Sequence, residues 1–154
     1  MTGEQKKQLN GFFVNTFNEI LAWEDQSLRK IGRTDLSVRE MHIIEAVSML
    51  EAYGKNTMAN IARVLVVSPG SLTTAVNVLV RKGYLKRQRA EYDRRVVLVT
   101  LTQDGAAINE KHKQFHEEMM DFIGEALSEE QIEVVIKSLG RLVKYFREKA
   151  NVKR

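Results

Sequence analysis

The chain has 154 residues, 44% hydrophobic and 29% charged, and no cysteine. That size suits one domain, and the missing cysteines exclude a disulfide framework, a thiolate metal site and a cysteine nucleophile. The net charge of +4 is unevenly placed: over residues 81–95, Arg81, Lys82, Lys86, Arg87, Arg89, Arg94 and Arg95 are opposed only by Glu91 and Asp93, so that stretch alone carries +5 and points to a polyanionic partner. No apolar run reaches the length of a membrane span, and "MTGEQKKQLNGFF" lacks the apolar core of a signal peptide. The expected location is therefore the cytoplasm, with no membrane partner.

In chain order, residues 6–30 form a first helix, with Leu9, Phe12, Phe13, Phe17, Ile20, Leu21 and Leu28 at helical spacing. "IGRTD" breaks it. Ser37 then opens "SVRE", a capping box in which Ser37 and Glu40 satisfy each other's backbone amides. The helix that follows carries Met41, Ile44, Val47 and Leu50 and ends near Gly54. Thr57 caps a short helix with Met58, Ile61, Ala62 and Leu65 inward. Ser68 caps the next, with Pro69 in its first turn and Gly83 as its stop. Two short helices across a tight turn make a helix-turn-helix. Tyr84–Arg89 and Val96–Leu101 read as the strands of a hairpin around "AEYD". Two helices close the chain, one opened by Thr102 and one capped at "SEEQ".

The expected fold is thus mainly α with a small β-wing. A winged helix-turn-helix core over 37–101 is flanked by helices at 6–30 and 103–150, all within one domain of 1–154. The flanking helices carry apolar stripes, including Ile108, Phe115, Met119, Phe122 and Ile123, then Ile132, Val135, Ile136, Leu139, Leu142, Val143 and Phe146. Stripes of that breadth need partners, and a two-fold homodimer of interdigitated terminal helices supplies them.

Helical spacing puts Leu72, Val76 and Leu79 on one side of residues 69–81. Gly70, Thr73, Thr74, Asn77 and Arg81 fall on the other, and Ser71 adds a further small polar residue at the start of the helix. An ordinary surface helix would carry Glu and Lys there. A helix entering the major groove of double-stranded DNA instead needs small residues for close approach and short polar ones for base edges. Basic residues nearby, Arg87 and Arg89 among them, would hold phosphates. Arg94 and Arg95, at the hairpin tip, suit an adjacent minor groove, with Asp93 orienting Arg95. The alternative is a winged helix that docks on protein. No Gly-rich phosphate loop and no recognisable catalytic triad occurs, so no enzymatic activity and no catalytic residues are expected.

The string "GYLKRQRAEYDRRVVLVTLTQDG" resembles the wing signature of the MarR family of bacterial winged-helix regulators: a Gly-Tyr lead, Asp-x-Arg at the tip, then Leu-Thr and Gly. The resemblance implies a homodimeric regulator, usually a repressor, on a palindromic operator, with no required cofactor. "FNEILAWEDQSLR", "VREMHIIEAV", "GSLTTAVNVLVRKGYLKRQRAEYDRRVV" and "HKQFHEEM" are similar to the FabT-like branch, which represses fatty-acid biosynthesis. That branch implies a long-chain acyl group on acyl carrier protein as corepressor, with Phe17, Ile20, Trp23, Met41 and Phe115 as candidate lining residues. A different effector is suggested by His112 and His116, four apart on one helix, a spacing that binds Zn²⁺. With Glu24 and His42 they would give a four-ligand site, an arrangement resembling that of zinc-uptake repressors of the same family.

Overall fold

Capping chemistry sets where the helices begin. The computed structural model describes residues 1–151, so the last three residues of the expected 1–154 domain lie outside the described residues. Helix α1 spans Gly3–Lys30 and starts earlier than residue 6, because Thr2 and Gln5 form a reciprocal capping box. Ser37 and Glu40 form the expected box at the start of α2, Val38–Glu51. Thr57 caps α3, Met58–Leu65, and Ser68 caps α4, Pro69–Arg81. Strands β1, Leu85–Arg89, and β2, Val97–Leu101, pair antiparallel with Leu85 opposite Leu101 and Arg89 opposite Val97. Helix α5 covers Gln103–Ala126 and α6 Glu129–Asn151.

Strand β1 begins one residue later than its sequence suggests. Gly83 takes a left-handed φ of +83°, and the next amide, that of Tyr84, donates back to the Leu79 carbonyl at 3.0 Å. Tyr84 therefore belongs to the C-terminal cap of α4 and not to the ladder. Beyond β2, the Asn56 side chain donates to the Val99 carbonyl at 2.8 Å, and the Val99 amide returns a bond to the Asn56 carbonyl. Buried Asn56 thus fastens the wing to the loop before α3.

The chain divides into two compact units, one ending at Phe115 and one beginning at His116. The first holds α1 to β2 and the start of α5. Its core joins Leu28, Met41, Ile44, Val47, Ile61, Leu72, Val76, Leu79, Leu85, Val99 and Ile108, all buried. Met58 and Leu65, expected inward, are half-buried against that core. The α1 side chains Leu9, Phe12, Phe17 and Leu21 are exposed.

The second unit holds the rest of α5 and α6. Ser128 and Gln131 cap α6 reciprocally, as "SEEQ" predicts. Its apolar residues Val135, Ile136, Leu139, Val143 and Phe146, expected to face inward, are exposed in the protomer. Ile136 reaches 64% exposure. Among the described residues no single helix is long and apolar enough to cross a membrane.

Candidate nucleic-acid interface

Helix α4 presents the two faces its sequence predicts. Leu72, Val76 and Leu79 are buried, while Gly70, Ser71, Thr73, Thr74, Asn77 and Arg81 are exposed. A Cβ added at Gly70 would meet nothing within 4 Å. Packing in the protomer therefore does not require glycine there, and the missing side chain leaves room for a body outside the chain. The Thr73 and Thr74 hydroxyls donate to the Pro69 and Gly70 carbonyls at 2.8 and 3.2 Å. Their protons are engaged within the helix, which leaves the hydroxyl oxygens of these exposed residues as acceptors.

Arg87 lies on β1 but turns towards α4. Its Nη1 donates to Asn77 Oδ1 at 2.6 Å and its Nη2 to the Thr73 carbonyl at 3.3 Å. Nη2 also lies 3.9 Å from the Met58 sulfur. Placed by sequence among the DNA-contacting residues, Arg87 acts in the protomer as a strut between wing and helix. Spacing alone gives no sign of it, because the pairing depends on how the hairpin docks.

At the hairpin tip, Asp93 Oδ1 accepts from the Arg95 backbone amide at 2.9 Å, and the Asp93 carbonyl accepts from the Val96 amide. Asp93 thus directs Arg95 through the main chain, folding the turn that carries it, and not through a side-chain ion pair. Arg81, Arg89, Arg94 and Arg95 are all exposed, and among the described residues none has an ion-pair partner. Four cations without an ion-pair partner border the small polar residues of that helix face, which is the charge pattern that suits a phosphate backbone.

Contacts that the sequence does not reveal hold this unit in place. Lys82, just past α4, donates to Glu40 at 2.7 Å and also to the Asp35 carbonyl. Tyr84 donates to the Asp35 carboxylate at 2.9 Å, with Arg33 5.6 Å above its ring. Burial pushes the Glu40 carboxyl up, but the bonds from Lys82 and Ser37 outweigh it and leave the group below its ordinary value. Burial, with Asp35 adding to it, raises the Tyr84 phenol. Thr102 bridges the end of the wing to the start of α5, donating to the Gly83 carbonyl and accepting from the Gly105 amide at 3.0 Å.

A second cluster lies away from α4. His42 Nε2 is 3.1 Å from Glu24 Oε1, and the His42 and His112 rings are 5.9 Å apart. One ligand atom from each of Glu24, His42 and His112 falls within 4.8 Å of the others. Glu24 and His112 are buried, at 3% and 5% exposure. His116, the fourth expected ligand, is half-buried one turn further along α5, in the second unit. Of the candidate acyl-lining residues, Met41 is buried in the core, and Trp23 packs on buried Phe115 at 4.5 Å between ring centres. Ile20 is half-buried and Phe17 is 63% exposed. None of the five lines the cleft of about 130 Å³ bounded by Arg39, His42, Ile43, Leu65, Val67 and Ser71, among others.

The geometry is that of a winged helix-turn-helix regulator, and similarity to known proteins gives the class. A profile of the MarR family matches residues 34–96, which is the span from the α1–α2 loop to the end of the wing turn. The chain is also 30% identical over 138 residues to the transcriptional regulator ZitR of Lactococcus lactis, covering 88% of this chain and 89% of that one. The protein belongs to the MarR family. Among solved structures it is similar to Streptococcus pneumoniae FabT in complex with DNA, at 36% identity and a TM-score of 0.81 over 93% of this chain and 98% of that one. The transcriptional regulator AdcR of Streptococcus pyogenes is 27% identical over 88% of this chain and 92% of its own length.

Proposed function

We propose that the protein is a transcriptional repressor that binds a palindromic DNA operator as a homodimer. Helix α4 enters the major groove, and the wing carries Arg94 and Arg95 to the neighbouring minor groove. One observation carries this reading: small, hydrogen-bonding polar residues on the α4 face bordered by exposed arginines without ion-pair partners. Similarity to a FabT solved with DNA supports it. In such a dimer the two α4 helices lie about 34 Å apart, one turn of the duplex. A gel-shift assay with promoter fragments from the protein's own genome tests the proposal. A subset of fragments should shift with the protein as a dimer; if none shifts, the reading fails.

The genes controlled, on this reading, include those of fatty-acid biosynthesis, with a long-chain acyl group on acyl carrier protein raising operator affinity. Support comes from the FabT-like strings in the sequence and from the 36% identity to FabT. None of the five candidate lining residues borders the 130 Å³ cleft of the first unit, and on this reading an acyl site is completed on dimerisation. Operator affinity measured with and without acyl carrier protein of several chain lengths checks this; a flat response to all of them contradicts it.

A second effector reading rests on Glu24, His42 and His112. Two imidazoles and a carboxylate suit Zn²⁺, with His116 following by sequence spacing. The ion, when bound, would tie α1, α2 and α5 together and so bias the protein toward one of two dimer states. Metal analysis of protein purified without chelator should find stoichiometric Zn²⁺ that His112→Ala loses. Its absence from the wild type removes this reading.

A further inference from the structure

A guanidinium offers only N–H donors, so the Asn77 atom 2.6 Å from Arg87 Nη1 is necessarily the amide oxygen. Arg87 is itself held, by the Thr73 carbonyl and the Met58 sulfur, and is half-buried between β1 and α4. The amide oxygen keeps a second lone pair, but the bond to Arg87 orients it toward β1, and the other end of the exposed Asn77 amide is Nδ2, a pure donor. Thr73 and Thr74, one turn earlier, present acceptors. The orientation of the Asn77 amide is therefore biased by Arg87 before any duplex arrives.

We propose that Arg87 is a positioning residue that makes Asn77 a donor-only reader of the major groove, selecting guanine at one base pair of each half-site. This rests on the DNA-binding reading above and adds to it a rule of specificity. An asparagine free to use both amide atoms pairs with adenine, donating to N7 and accepting from the N6 amino group. That pairing needs both ends of the amide turned to the adenine edge, and the bond to Arg87 opposes the turn. Guanine presents acceptors at both N7 and O6, which suits a donor. Cytosine would face the Asn77 amino group with an amino group of its own.

Selection from random-sequence duplexes by the full chain, followed by Kd measurements on single-base variants of the selected site, tests the proposal. Guanine should be favoured over adenine at one pair per half-site by about tenfold. Asn77→Ala should flatten the preference at that pair alone, and Arg87→Met should move it toward adenine. In case Arg87→Met does not fold, 7-deazaguanine at that pair supplies a second arm. It removes the N7 acceptor, and should weaken the wild type while leaving Asn77→Ala unaffected. An Arg87→Met profile identical to the wild type overturns the proposal, as does Asn77→Ala weakening every duplex equally or none. Either result would leave DNA binding itself standing. If the wild type enriches no duplex at all, the DNA-binding reading falls first and takes this one with it.

Discussion

A methyl group added at Gly105 would sit 2.1 Å from the Tyr84 carbonyl oxygen, a backbone atom that cannot step aside. Gly105→Ala should therefore lower stability by about 2–4 kcal/mol, read by thermal or urea unfolding. A loss under about 0.5 kcal/mol would show that the start of α5 can shift. The glycine is visible in the sequence, within "LTQDG", but the reason for it is not, because the carbonyl it must clear arrives from the cap of α4. Val66 poses the reverse case. It joins α3 to α4 at a φ of +54°, a left-handed conformation that strains a β-branched residue, and its side chain is 55% exposed. Val66→Gly should relieve that strain and stabilise the protein by about 1 kcal/mol, a rise in melting temperature of a few degrees. A fall instead would mean that the Val66 side chain contributes more than its backbone costs.

Between elements, the bonds from Lys82 and Tyr84 tie the end of α4 to Asp35 and Glu40 at the start of α2. The orientation of the recognition helix thus depends on groups outside the helix-turn-helix. Because the Glu40 carboxyl lies below its ordinary 4.5 in the folded protein, its stabilising contribution is present above that value and is lost as pH falls through the lower folded one. Glu40→Gln should accordingly lower the melting temperature at pH 7, and the gap to the wild type should shrink as the pH falls below 4.5. A gap unchanged with pH would assign the loss to the cap geometry alone. Much at this scale is legible in sequence. Ser37, Thr57, Ser68 and Ser128 mark their helix starts because capping is a local interaction. Arg87 is not legible in the same way. Strand alternation can say which side of the ladder a residue faces, but not that the hairpin docks to bring a guanidinium against Asn77.

For the whole molecule, α1 and α6 carry large apolar side chains that the protomer leaves exposed, Phe12, Phe17, Ile136 and Phe146 all above 60%. The sequence gives the periodicity of these stripes but cannot distinguish a face buried in its own chain from one covered by a second copy, since both require the same apolar spacing. On the dimer proposal, Ile136→Arg should yield a helical protein that sediments as a monomer and binds operator DNA far more weakly, since one half-site alone cannot match two. A variant that stays dimeric would place the interface elsewhere. The central claim, that the small polar face of α4 and a cationic wing together engage a duplex, meets its most direct test in the salt dependence of binding. In a titration of one selected duplex by fluorescence anisotropy, log affinity should fall steeply with log salt concentration, and Arg95→Ala should reduce that slope by about one. A slope identical in both proteins, or a wild type whose affinity ignores salt, would contradict the account.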